Sequence, residues 1–246
     1  MICAILPMLN EEGNVREVVG GIRPFVDTVI VVDNGSDDAT AEVAAREGAT
    51  VVSEPRRGYG QACHAGIAHA RSLGADVVLF LDGDGSDDPS DAPSLLAPVV
   101  SGDVDLALGY REASRVEPGA MTTVQRFGNW LSPLLMRIGI GARYRDMPPF
   151  KAARLAAIDS LDLGDRTYGF TIELLIKAHT RGLRVVEVPV GCRVRRRGVS
   201  KVSGTFRGAT RAGVVIVSTI ARHASAEWLA RRTATKKSRD PTPHDT

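Results

Sequence analysis

Aromatic residues make up only 5% of this 246-residue chain, too few for the arginine-interleaved stacking platform that a nucleic-acid binder uses. Cysteine is scarcer still. Cys3, Cys63 and Cys192 lie far apart, are odd in number and form no C-x-x-C pair. That excludes a disulfide scaffold and a structural zinc site, and it suits a reducing compartment. The five histidines show no ligand spacing. No apolar run reaches the roughly 18 residues of a membrane span. The opening MICAILPMLNEE has no basic stretch ahead of its short apolar run, so a signal peptide is not expected. No internal repeat is visible. What is present, 43% apolar and 24% charged residues, is ordinary globular composition.

Charge is divided unevenly. Residues 193–246 hold 13 of the 31 Lys and Arg but only 3 of the 29 Asp and Glu, which leaves an acidic body with a basic C-terminal segment. An anionic partner is expected for that segment, whether nucleic acid, an acidic membrane face or phosphate groups of a substrate, the alternative being a solvated tail.

Short Val/Ile/Leu runs alternate with amphipathic stretches through the first 110 residues. Strands are expected at Ile2–Leu6, Thr28–Asp33, Ala49–Ser53, Asp76–Asp82 and Val104–Gly109. Helices are expected from Glu11 to Ile22, after a cap at Ser36 or Asp37, and from Gly60 to Leu73. Continuous rather than alternating apolar runs mark strands covered on both faces, and the strand–helix order gives an α/β fold with a mainly parallel sheet. Further on, Thr122–Ile138, Lys151–Asp159 and Phe170–Arg181 read as helices. Leu183–Val188 reads as a strand stopped by Pro189, and Thr205–Trp228 as a final helix before a polar tail.

Ligands of open parallel sheets bind at the carboxyl ends of the strands. Those ends read Pro7-Met8-Leu9-Asn10-Glu11-Glu12, Asp33-Asn34-Gly35-Ser36-Asp37-Asp38, Arg56-Arg57-Gly58-Tyr59-Gly60 and Asp82-Gly83-Asp84-Gly85-Ser86-Asp87-Asp88. Asp82 and Asp84, two residues apart at a strand end, are placed to share one hard cation, Mg²⁺ or Mn²⁺, with a substrate's phosphates. The same acids would also serve as helix caps. An EF-hand is excluded, because Asp87 stands where its glycine belongs. A dinucleotide fingerprint fails because Cys63 occupies the place of its third glycine. Asp33 suits a ribose or a base, or simply a turn. Glu173 precedes Lys177 by four residues, the spacing of a helical ion pair.

In order, LPMLNEE, VVDNGSDDAT, RRGYGQA, LDGDGSDDP, GYR, QRFGNWL, RDMPPFKAAR, TYGFTIELLIKA and VEVPVGCRVRRRGVSKVSG resemble family 2 glycosyltransferases of GT-A fold. Within these they resemble the dolichyl-phosphate mannose/glucose synthase-like branch. The likeness spans roughly residues 2–205 and implies a GT-A domain over 1–204. An amphipathic helix (205–229) would pack on that domain or on a membrane, and a disordered tail (230–246) would follow. It implies that Pro7, Asn10, Glu11, Asp33, Gly35, Gly58 and Tyr59 hold the nucleotide sugar, and that Asp82 and Asp84 hold its diphosphate through Mg²⁺ or Mn²⁺. Arg111, Arg195, Ser200 and Lys201 would meet phosphates, with Asp84, Asp146, Glu173 and Arg126 around the reacting groups.

The implied reaction is inverting transfer of a hexosyl group from a UDP- or GDP-sugar to a polyprenyl phosphate or to a hydroxyl acceptor. The expected setting is the cytoplasm at the inner face of the plasma membrane, as a peripheral protein and a candidate homodimer. The acceptor-side residues depart from the branch at Asp146-Met147-Pro148-Pro149-Phe150, and Gly85-Ser86-Asp87-Asp88-Pro89 replaces its usual run after the second acid. A phosphatase of the haloacid dehalogenase type, with Asp82 as nucleophile and Asp84 as acid/base, is the rival reading. That family places its motif on the first strand, whereas three strands precede it here.

Overall fold

A computed structural model describes residues 1–147, 149–197 and 218. Ser200, Lys201, the tail and all of the expected C-terminal helix except Ser218 lie outside the described residues.

Seven strands form one sheet in the order β3-β2-β1-β4-β6-β5-β7. They are β1 (Ile2–Met8), β2 (Thr28–Asp33), β3 (Thr50–Ser53), β4 (Val77–Phe80), β5 (Leu106–Val116), β6 (Lys151–Arg154) and β7 (Val185–Cys192). β6 is antiparallel to both its neighbours, and every other pairing is parallel. The mainly parallel α/β sheet is the one the apolar runs predict, and its one reversed strand agrees with the GT-A resemblance. Alternate residues of the central strands face two cores. Ile5, Ile30, Val32, Phe80 and Leu108 face one; Leu6, Val31, Leu79, Leu81 and Ala107 face the other. Burying each large apolar side chain contributes about 1.5–3 kcal/mol, so the uninterrupted hydrophobic strands are the main stabilising element.

Helices cover both faces: α1 (Glu12–Ile22), α2 (Thr40–Arg46), α3 (Tyr59–Ser72), α4 (Ala92–Val100), α5 (Thr123–Ile140), α6 (Leu155–Ser160) and α7 (Phe170–Thr180). α1 buries Val15, Val18, Val19 and Ile22, the spacing of one helical face. α5 opens with a capping box, Thr122 and Gln125 each satisfying the other's backbone N–H.

Three sequence expectations are corrected. Lys151–Arg154 is a strand, not the first turn of a helix, because it completes the ladder between β4 and β5. β7 runs through Pro189 to Cys192; as the edge strand it tolerates a residue that cannot donate. α2 starts at Thr40 with Ala39 as its cap, since Ser36 and Asp37 are drawn into contacts with Asp33 and Asn10.

Candidate active site

The carboxyl rim of the sheet gathers the predicted loops. Met8 pairs with Asp33 in the β1–β2 ladder. Ile5 pairs with Phe80 on the other side, and continuing that register sets Asp82 beside Pro7. The β4 loop lies directly on the end of β1: a Cβ at Gly83 would stand 2.5 Å from Met8 Cγ and 3.2 Å from the Pro7 carbonyl oxygen. Asp33 and Asp82 therefore leave the sheet on either side of one strand end.

On the Asp33 side the backbone is held by side chains. Asn10, with φ 53°, donates its N–H to Ser36 Oγ at 3.0 Å and accepts from the Asp37 N–H at 2.7 Å. Glu11 N–H donates to Thr40 Oγ1 (2.9 Å), Ser36 N–H to Asp33 Oδ1 (3.2 Å), and Gly35 turns the loop with φ 78°. Asn34 has no mark in the sequence beyond its place at a strand end. Buried, it donates Nδ2 to the Glu54 and Arg56 carbonyls at 2.8 Å and accepts from the Gly58 N–H at 2.8 Å, joining the ends of β2 and β3 to the start of α3.

The glycine-rich segment packs against loop 163–169. Gly60 and Gln61 donate their N–H groups to the Thr167 and Arg166 carbonyls, both at 3.0 Å. A Cβ at Gly60 would lie 2.5 Å from the Asp165 carbonyl oxygen, so the glycine admits loop 163–169. Tyr59 packs edge-on to Phe170, with its hydroxyl pKa raised by burial. Glu173 fixes the same loop. Its Oε2 accepts from Gly164 and Asp165 N–H at 2.9 and 2.7 Å, and Oε1 pairs with Lys177 at 2.8 Å. Both partners of that helical ion pair point away from a free base role; Glu173 organises backbone.

Acids crowd the end of β4. Asp82 N–H donates to Asp87 Oδ2 (3.0 Å), and Asp84 Oδ1 accepts from Ser86 N–H (2.9 Å). Burial, then repulsion by Asp84 and Asp87, pushes the Asp82 carboxyl well above its usual range. Burial raises Asp87 too. For Asp84 burial acts in the same direction, but the hydrogen bonds from Ser86 and the charge of Arg195 outweigh it and hold its pKa low. Asp82 and Asp84, half-buried beside the buried Asp87, repel one another, and a positive charge relieves that repulsion. Among the described residues no group of three or more His, Cys, Asp or Glu is placed to hold a metal ion. The oxygen-only pair Asp82 and Asp84 suits a small hard dication that takes its other ligands from phosphate and water.

Beneath the acids lies Lys151, which the sequence analysis did not single out. It is fully buried on β6, donates Nζ to the Pro149 carbonyl at 3.0 Å and sits 5.3 Å from the Phe80 ring centroid. Burial lowers its pKa, while Cys63, Asp82 and Asp87 act in the opposite sense. An apolar setting, FKAA, was its only sequence signal.

Towards β5 and α5, Arg111 and Asp146 form a close pair. Arg111 donates from its backbone N–H (3.1 Å) and Nε (2.8 Å) to Oδ2, and from Nη2 to Oδ1 (3.3 Å); Met147 N–H donates to Oδ1 as well (2.7 Å). Arg126, on α5, is exposed. Arg145 stacks 4.7 Å from the Tyr110 ring centroid. From the end of β7, residues 193–197 run back over the acids. Arg193 pairs with Asp88 (2.8 Å), Arg195 bridges Asp84 (2.8 Å) and Glu11 (3.2 Å), Arg196 pairs with Glu17 (3.5 Å), and Asn14 Nδ2 donates to the Arg197 carbonyl (3.2 Å).

A mainly parallel sheet with one reversed strand, and a carboxylate pair at its rim beside a second acid-bearing strand end, is the GT-A arrangement of nucleotide-sugar glycosyltransferases. The chain belongs to glycosyl transferase family 2, whose family model matches residues 3–160. It is 41% identical to an uncharacterized glycosyltransferase of Mycobacterium tuberculosis, over 84% of this chain and 92% of that one. It is 32% identical to the undecaprenyl-phosphate mannosyltransferase of Micrococcus luteus, over 84% and 89%. In structure it is similar to glucosyl-3-phosphoglycerate synthase of M. tuberculosis, solved with Mn²⁺, uridine diphosphate and glucosyl-3-phosphoglycerate. The TM-score is 0.70 at 27% identity, covering 90% of this chain and 80% of that one.

Proposed function

We propose that this protein transfers a hexosyl group, with inversion, from a nucleoside-diphosphate sugar to a polyprenyl phosphate at a membrane surface. The observation that carries the lipid acceptor is α5. Its buried face is Ser132, Pro133, Met136 and Ile140. The face turned to solvent is apolar: Phe127, Trp130 and Ile138 are 59, 61 and 74% exposed, with Val124 beside them. Contiguous exposed apolar surface marks an interaction site, and Arg126 and Arg137 on the same helix suit an anionic one. Likeness to the undecaprenyl-phosphate mannosyltransferase supports the same acceptor class.

The state of Asp146 agrees. A hydroxyl acceptor needs a general base at its attacking oxygen, whereas a phosphate monoester, with its second pKa near 6, carries the charge already. Both oxygens of Asp146 are engaged by Arg111 and Met147. Arg111, Arg126 and Arg145 then orient the acceptor phosphate. One of its oxygens attacks the anomeric carbon from the face opposite the diphosphate, the carbon–oxygen bond to the diphosphate breaks, and no proton has to be removed. Asp33 orients the nucleoside, and Arg195 meets the departing diphosphate. Asp82 and Asp84 would hold Mg²⁺ or Mn²⁺, which supplies Lewis-acid stabilisation of the leaving diphosphate.

The test is transfer by the purified protein, with Mn²⁺, from radiolabelled UDP- and GDP-hexoses to undecaprenyl phosphate in detergent and to 3-phosphoglycerate. A solvent-extractable glycolipid is expected. Transfer to phosphoglycerate with none to the lipid would replace this reading with a soluble acceptor.

A further inference from the structure

Arg195 is bonded to Asp84, an acid that the proposed function assigns to a divalent cation. Its Nη2 lies 2.8 Å and its Nε 3.3 Å from Asp84 Oδ2, and its Nη1 lies 3.2 Å from Glu11 Oε1. The guanidinium thus joins the loops that follow β4 and β1, two neighbouring strands of the donor rim. The pair is well shielded: side-chain exposure is 19% for Arg195, 21% for Asp84 and 6% for Glu11. Charge-assisted bonds in such a setting are stronger than surface pairs. The segment that carries Arg195 is anchored on both sides, by Arg193 on Asp88 and by the Arg197 carbonyl, which accepts from Asn14 Nδ2. It stays over the rim even if the guanidinium lets go.

We infer that Arg195 is an internal stand-in for the cation, and that loading of the donor is an exchange of partners. Without ligand, Arg195 neutralises Asp84 and competes with a free dication for it. When a nucleoside diphosphate arrives with the dication, the phosphates offer the guanidinium an anionic partner of matching geometry. Arg195 moves from carboxylate to phosphate, and Asp84 is released to the metal. Metal alone is then held weakly and metal with diphosphate tightly, so the two bind with positive coupling. The same side chain opposes one ligand and supports the other.

This rests on the proposed donor site but on neither acceptor. The test is calorimetric titration of purified wild type, Arg195→Ala and Arg196→Ala with Mn²⁺ alone, then with UDP at saturating Mn²⁺. For Arg195→Ala we expect Mn²⁺ alone to bind roughly three- to tenfold more tightly, and UDP with Mn²⁺ roughly tenfold or more weakly, the range expected for loss of one shielded ion pair and one charged phosphate contact. Arg196→Ala removes the same charge from the same segment without touching Asp84 and should leave Mn²⁺ affinity unchanged. A melting curve for each variant checks that the fold is intact. Unaltered or weaker Mn²⁺ binding in Arg195→Ala would overturn the exchange, as would an equal gain in Arg196→Ala, which would mean a general field effect. Failure of the wild type to bind UDP with Mn²⁺ at all would overturn the donor site and the exchange together. Binding by the wild type with both affinities shifted the same way in Arg195→Ala would remove the exchange alone.

Discussion

At the scale of single residues, the pairing of Asp146 with Arg111 separates two roles that the sequence leaves merged. If Asp146 positions Arg111 rather than taking a proton, Asp146→Asn should raise the acceptor KM roughly tenfold, as for a weakened charged hydrogen bond. It should leave the shape of the pH–rate profile intact; loss of the acidic limb would mark a base instead. His64 makes a second prediction. Its Nε2 lies 3.2 Å from the Asp165 carbonyl, and burial, helped by Arg166, lowers its pKa from the ordinary 6.5. The native state therefore resists a proton that the unfolded chain accepts. The stability His64 contributes is complete above pH 6.5 and falls as pH drops below it. Melting temperatures between pH 7.5 and 5 should decline less steeply in His64→Gln than in wild type. That Asp82 and Asp84 stand together at a strand end was legible in the sequence, because glycines follow each of them after a continuous apolar run. Asp87 and Lys151 were not: one is hidden among acids of the same loop, and the other owes its place entirely to a strand pairing.

At the scale of elements, α5 exposes Val124, Phe127, Trp130 and Ile138 beside Arg126 and Arg137. Phe127→Asp or Trp130→Asp should each weaken co-sedimentation with anionic vesicles about tenfold or more, because burying one such side chain contributes roughly 1.5–3 kcal/mol. Neither change should lower the melting temperature by more than about 2 °C, as both side chains lie outside the core. Equal vesicle binding by wild type and variants would assign the face to another partner. The helix itself was legible from its period, but its orientation was not, because periodicity gives an apolar stripe and not what covers it. The strand Lys151–Arg154 was misread for a related reason. Four residues with two alanines favour a helix locally, and only the gap between β4 and β5 selects the extended form.

At the scale of the whole molecule, the donor rim draws on β1, β2 and β4 together with the segment after β7, so its ligands should stabilise the fold globally. Mn²⁺ with UDP at a hundred times its Kd contributes about 2.7 kcal/mol, and in a chain of this size the melting temperature should rise by roughly 5–10 °C. Asp84→Asn should abolish most of that rise, and a full shift in that variant would remove Asp84 from the metal. The α/β class was readable because parallel strands must be apolar on both faces. The reversed β6 was not readable, and it has a consequence of its own. β6 re-enters beside β5 at the rim, Leu108 opposite Lys151 and the Gly109 N–H donating to the Phe150 carbonyl, so the stretch from 109 to 150 departs from and returns to one point of the sheet, its first residues still paired with β7. Such a segment works as an exchangeable cassette. On the proposed function that stretch carries Arg111, Arg126, Arg145 and Asp146, so exchanging it would alter what receives the sugar while β1, β2 and β4 keep their register.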